Sequence, residues 1–118
     1  MADINMIRGD TKLISLTPYR DDEPIVLSGG DILHFRVFDN EEVIISKDAT
    51  ADNQDGDSYA ILITLDAADT ESLNVTKDRT YKWEAEIVFS DGTVLTPFHN
   101  RTLLIEPDKI TPDKRGDS

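Results

Sequence analysis

The chain is 118 residues long, one domain's worth, and its 24 acidic side chains against 12 basic ones leave a formal charge of −12. Such a surface repels phosphate backbones and anionic lipid, so nucleic acid and membrane are excluded as partners. The absence of cysteine removes disulfide frameworks, thiolate zinc sites and cysteine nucleophiles together.

The first six residues carry no basic region followed by an apolar core, and no apolar run nears the roughly 18 residues of a spanning helix. A chain made in a cytoplasm and not inserted in a membrane is expected. A first strand is expected over residues 11–17, then the polar turn Arg20-Asp21-Asp22-Glu23-Pro24 and a short strand over 25–27. Gly29-Gly30-Asp31 supplies turn chemistry before Leu33, Phe35 and Val37, which alternate with His34, Arg36 and Phe38 as a strand does. Asp39-Asn40-Glu41 predicts a tight reversal into a strand over 43–46. Tyr59, Ile61, Ile63 and Leu65 alternate in the same way, and Asp66 is placed to cap one or two helical turns over 67–73. The clearest segment is 80–89, where Tyr81, Trp83, Ala85, Ile87 and Phe89 take every second position. Asp91-Gly92 then predicts a type I′ hairpin turn. The returning strand runs to about Ile105, interrupted at Pro97-Phe98-His99-Asn100 because proline has no ladder donor, and is expected to break in two there.

Short strands separated by turn signals predict an all-β fold, an immunoglobulin-like antiparallel β-sandwich of about seven strands with one short helical turn. Its core is expected to hold Phe35, Val37, Ile61, Ile63, Trp83, Ala85 and Ile87. Residues 1–106 form the sandwich domain, and 107–118, rich in charge and proline, a C-terminal extended arm. Tyr81 and Trp83 resemble a tyrosine-corner neighbourhood; the plainer reading makes Tyr81 the first core aromatic of its strand.

The acidic loop Asp48, Asp52, Asn53, Asp55, Gly56, Asp57 invites calcium, but the EF-hand register fails. With Gly56 at the sixth position, Ala51 and Leu62 fall where the first and last carboxylates belong. A different calcium site or a solvated turn remain the two readings. His34 and His99 are the only imidazole bases, the first on the outward face of its strand and the second in the Pro97 interruption without a fixed partner. No nucleophile elbow or phosphate loop accompanies them, so no enzyme and no cofactor is expected. Arg-Gly-Asp occurs at 8–10 and 115–117; the first copy is read as a bend into the first strand rather than an adhesive motif.

Leu62 and Val88 interrupt the polar phase of their strands, as Ile32, Phe38, Ile44 and Leu104 do in theirs, which is either scattered apolar exposure or a face covered by a partner. Leu62, Val88, Ile44, Leu104, Lys109 and Ile110 are the candidate interface residues.

A series of short pieces follows in order along the chain: Ile7-Arg8-Gly9-Asp10-Thr11, Leu27-Ser28-Gly29-Gly30-Asp31 before the strand 32–37, and Ile63-Thr64-Leu65 with Asp69-Thr70. They continue in 81–87, in Asp91-Gly92-Thr93-Val94-Leu95-Thr96, and in 104–111. In that order they resemble a phage module, the N-terminal domain of tail baseplate upper proteins and related small virion sandwiches. They cover most of the chain in order, but the loop at 48–58 is unusually acidic, and such proteins typically continue into a stalk or receptor-binding part where this chain stops. The resemblance implies a virion-located adaptor in the tail or baseplate, bound to other virion structural proteins as a homo-oligomer or ring. A capsid decoration protein and a ligand- or carbohydrate-binding adhesive sandwich are the alternatives; Trp83 and Tyr81 in core phase disfavour the latter.

Overall fold

The computed structural model describes residues 3–71, 73, 75 and 77–107. In chain order the elements are β1 (Ile4–Ile7), β2 (Lys12–Leu16), β3 (Tyr19–Arg20), β4 (Glu23–Pro24), β5 (Ile32–Asp39) and β6 (Glu42–Ala49). After a 3-10 turn (Ala51–Asn53) come β7 (Ile61–Leu65), the helix α1 (Ala67–Glu71), β8 (Arg79–Val88) and β9 (Val94–Glu106). A five-stranded sheet in the order β1-β9-β8-β5-β6 packs against the two-stranded sheet β2-β7, and β3-β4 forms a small separate hairpin. The fold is mostly β, as the alternation predicts, with mixed and curled sheets.

The core follows from period-two alternation. Leu33, Phe35 and Val37 on β5 and Tyr81, Trp83, Ala85 and Ile87 on β8 all point inward, and they meet Ile61, Ile63 and Leu65 from β7. Each expected core residue is at most 3% exposed. Phe35 and Trp83 stack at a tilt with ring centroids 5.3 Å apart, and the Trp83 indole N–H donates to the Thr102 carbonyl at 3.0 Å. The polar end of a buried indole is thereby satisfied. Tyr81 is the first inward aromatic of β8, with the Arg79 guanidinium over its ring.

Several expectations need correction. Nine strands are present among the described residues rather than about seven, and the sheets are not purely antiparallel, because β1 pairs parallel to β9 with Ile4 opposite Leu103. Residues 25–27 form no strand. Ile25 and Leu27 are buried, but the Gln54 side chain accepts from the Leu27 N–H and donates to the Ile25 carbonyl, both at 2.8 Å. A side-chain amide thus supplies the bonds a neighbouring strand would give. Tyr59 lies outside β7 with φ of 63°, and is 36% exposed.

The hairpin at Asp91-Gly92 is not type I′. Among these residues only Gly92 has positive φ, and the bonds from Gly92 N–H to the Phe89 carbonyl and from Phe89 N–H to the Thr93 carbonyl close a three-residue loop with glycine in the left-handed position. Two consecutive left-handed residues occur instead at Asp21 and Asp22, joining β3 to β4. β9 is not broken in two. It stays one strand and absorbs Pro97 through two register shifts, opposite 83–85 and 85–87 of β8. Of the arm expected over 107–118, all but Pro107, including Lys109 and Ile110, lies outside the described residues.

Asp31, 4% exposed, clasps two loops at one end of the molecule. It accepts from Ser28 N–H at 2.9 Å and from Ser90 N–H at 2.8 Å, where a side chain at Gly30 would strike Ser90. The donated bonds, first from Ser28 and then from Ser90, hold its carboxyl below the usual value of 3.8. Because the folded value is depressed, the clasp's stabilisation is complete above the unfolded value and is lost as pH falls through the folded one. Asp31→Asn is therefore expected to lower the melting temperature at pH 7 and to narrow its distance from wild type below about pH 3.8. A deficit that stays constant from pH 7 to pH 2.5 would refute the charged clasp.

Candidate functional site

β-strands project alternate side chains to opposite faces, so an apolar residue in the polar phase must either be covered or stay wet. On the outer face of the large sheet, Ile32 lies opposite Val88 and Val88 opposite Val94, a short apolar row across β5, β8 and β9. Ile32 is 36% and Val94 56% exposed. Leu104 lies on the same face toward the other end of β8, opposite Thr80. Leu62 is outward on β7 in the other layer, 41% exposed. Leu62 and Val88 therefore sit on opposite faces and form no common patch. Ile44 is a second correction. It stands at the register shift of β6 between Ile45 and Val43, which turns it partly onto the core.

The middle of that outer face is charged. His34 Nδ1 lies 2.8 Å from Asp48 Oδ1, and the Arg36 guanidinium reaches the same oxygen at 2.9 Å. Partial burial works to raise the Asp48 carboxyl, but hydrogen bonds from His34 and Arg36 outweigh it and hold the group below its ordinary value. His99, expected to lack a partner, lies 3.1 Å from Glu84 Oε1. Contacts of this kind on an exposed sheet face add little stability each.

The acidic loop disperses its carboxylates. Asp48 belongs to β6, and Thr50 and Asn53 close a reciprocal capping box around the 3-10 turn. The Asp55 carboxylate accepts from the Ser58 hydroxyl at 2.6 Å and the Ser58 N–H at 3.1 Å, which lowers its pKa. Among the described residues no three histidine, aspartate or glutamate side chains are grouped to hold a metal ion. No helix among them is long and apolar enough to cross a membrane.

Arg8-Gly9-Asp10 is a structural corner between β1 and β2. Gly9 is buried with φ of 86°, its N–H donates to the Thr70 hydroxyl at 2.8 Å, and the Arg8 guanidinium donates to the carbonyls of Glu71 and Leu73. The corner docks β1 and β2 onto the end of α1. The second Arg-Gly-Asp, at 115–117, lies outside the described residues.

β2 has one edge without a strand partner. This strand pairs along one side with β7, from Lys12 opposite Leu65 to Leu16 opposite Ile61, and belongs to no larger sheet. Along its other side runs a groove of about 460 Å³, lined by all of β2 and, across from it, by Asp3 and by Ile4 and Asn5 of β1, with Trp83, Phe98 and Arg101. Leu13, on the outward side of this strand, is 59% exposed. In the sequence Leu13 lies in an ordinary apolar run, marked only by sharing with Ser15 the phase opposite to Ile14 and Leu16.

Compared with protein families, with curated proteins and with solved structures, the chain matches none.

Proposed function

We propose that the protein is a non-enzymatic structural protein of a bacteriophage virion, a small adaptor or assembly module of the tail or baseplate. It is made in the host cytoplasm and works by contact with other virion proteins and with copies of itself. The observation that carries this reading is the unpaired edge of β2 with Leu13 and Leu62 exposed beside it, since an open strand edge is a ready template for another chain.

The strand order also supports an immunoglobulin-like reading of the fold. The run β9-β8-β5-β6 facing β2-β7 corresponds to the G-F-C-C′ order facing B-E of variable-type sandwiches. In that frame Trp83 takes the place of the second cysteine, and Phe35 on β5 packs against it. A charge of −12 keeps such a component soluble before assembly and away from packaged genome. Capsid decoration is the second structural reading. A sugar-binding role finds less support, because Trp83 and Tyr81 are 2% and 3% exposed and offer no stacking platform.

The test is made on particles. Mass spectrometry of purified virions is expected to detect the intact chain, and its absence there would overturn the virion reading. Deleting residues 107–118 is expected to reduce incorporation; normal incorporation of the truncated chain would remove the arm from the assembly contact.

A further inference from the structure

We propose that the groove between β1 and β2 takes an extended segment of a partner protein with the pattern acid-x-apolar-x-acid, laid along the free edge of β2 as an added strand. The inference rests on the assembly reading of that edge and names the chemistry of the chain that fills it.

From the corner at residues 8–10 the two strands part into different layers, β1 beside β9 and β2 beside β7, and the groove runs between them. Over nearly all of its length their Cα atoms lie more than 8 Å apart. Paired strands stand about 4.8 Å apart, so β1 and β2 do not bond to each other and the space between them admits an extended backbone. The floor is apolar, made by Ile14 and Leu16 from the inward phase of β2 and by Trp83 and Phe98, whose ring centroids are 5.7 Å apart. β2 has neither proline nor bulge, and its register with β7 is continuous over five residues. Its free edge therefore offers a regular row of N–H and C=O groups to an incoming chain.

Charge selects the occupant. The chain carries 24 acids against 12 bases, yet the charged residues lining the groove are Lys12, Arg101 and a single acid, Asp3. That acid is taken up by Thr102, which donates to Asp3 Oδ2 from its N–H at 3.0 Å and from its hydroxyl at 3.3 Å. Arg101 lies 3.8 Å from the other Asp3 oxygen, its guanidinium over the Phe98 ring, and Lys12 has no ion-pair partner among the described residues. The two cations stand at opposite ends of the groove. Lys12 begins β2 just past the corner, whereas Arg101 is two residues before Leu103, the partner of Ile4 at the far end of β1. Residues directly opposite on paired strands share a face, so an added strand sets alternate side chains beside Lys12, Ile14 and Leu16. An acid suits the first, next to Lys12, and another the third, within reach of Arg101; an apolar side chain suits the middle, on Ile14 and Trp83. The span from Lys12 to Leu16 is about 13 Å at roughly 3.3 Å per residue, the reach from i to i+4 of a strand. Physiological salt screens charges beyond about 8 Å, so these two cations outweigh the distant acids of the chain.

The test titrates the purified full chain with the synthetic peptide acetyl-Ser-Glu-Thr-Leu-Thr-Glu-Ser-amide at pH 7 and about 0.15 M salt. Trp83 is the single tryptophan, so its fluorescence reads the groove. A saturable change in emission is expected, together with about tenfold slower hydrogen exchange at the β2 amides that face away from β7. The double variant Lys12→Glu, Arg101→Glu is expected to bind this peptide about tenfold more weakly. It is expected to bind a peptide with lysine in place of both glutamates as well as the wild type binds the original, which also shows that the variant is folded. The proposal is overturned by the lack of a saturable change, by equal binding of the original peptide to wild type and double variant, or by binding without slowed exchange in β2. Equal binding of a scrambled peptide with its two glutamates adjacent would overturn it too. So would β2 amides already protected in the chain alone: protection that rises with protein concentration would assign the edge to a second copy, and protection lost on deleting residues 108–118 would assign it to the chain's own arm. Detection of the chain in virions stands in any of these cases, so failure here is distinguishable from failure of the virion reading.

Discussion

Replacing Trp83 by alanine is expected to lower the free energy of unfolding by about 3 to 5 kcal/mol, measured by urea denaturation. The side chain is 2% exposed, and its ring lies 5.3 Å from Phe35 and 5.7 Å from Phe98. Alanine removes both ring contacts and the bond to the Thr102 carbonyl, at a point where β9 is already shifted in register against β8. The groove beside β2 adjoins this site, so water can enter the space left behind. That relieves none of the lost packing. Trp83→Phe keeps a ring while losing the N–H, and is expected to cost about 1 to 2 kcal/mol, mainly through the carbonyl left unpaired. A loss below about 1 kcal/mol for Trp83→Ala would place the indole outside the core and undo the inward phase of β8.

Thr70→Val is expected to cost about 1 to 3 kcal/mol although the two side chains are nearly the same size. Thr70 is 0% exposed, and its hydroxyl accepts the N–H of buried Gly9 at 2.8 Å. Valine fills the same space and leaves that donor without an acceptor, where the left-handed Gly9 backbone cannot rotate it toward water. Thr70→Ser, which keeps the hydroxyl and loses one methyl, is expected to retain most of the stability. Equal stability for valine and wild type in denaturant titrations would mean that the Gly9–Thr70 hydrogen bond adds nothing to the hold of the corner on α1, leaving the Arg8 bonds to Glu71 and Leu73 to make it.

Local chemistry sets much of this molecule directly from its residues. Alternation at Leu33, Phe35 and Val37 and at Tyr81, Trp83, Ala85 and Ile87 requires strands with one buried face, because period two sends every second side chain the same way. Reversals at Asn40 and Gly92 follow from residues that tolerate positive φ, which both adopt. The same reasoning places the Pro97 irregularity and makes Arg8-Gly9-Asp10 a bend.

Other features depend on partners far away in the chain. β1 is a strand only because β9, about a hundred residues later, offers its edge, and nothing in Ile4-Asn5-Met6-Ile7 announces that neighbour. Residues 25–27 read as a strand and are not one, because the Gln54 side chain satisfies their backbone first. Outward apolar residues are legible one by one, as Leu62, Val88 and Leu104 are, but which of them share a face is a property of layers. Sequence alone determined the composition, the strand phases and the core, since these need only neighbours a few residues apart. Tertiary structure alone decided the parallel edge, the split of Leu62 from Val88 and the open side of β2, because each depends on which strands meet across long loops.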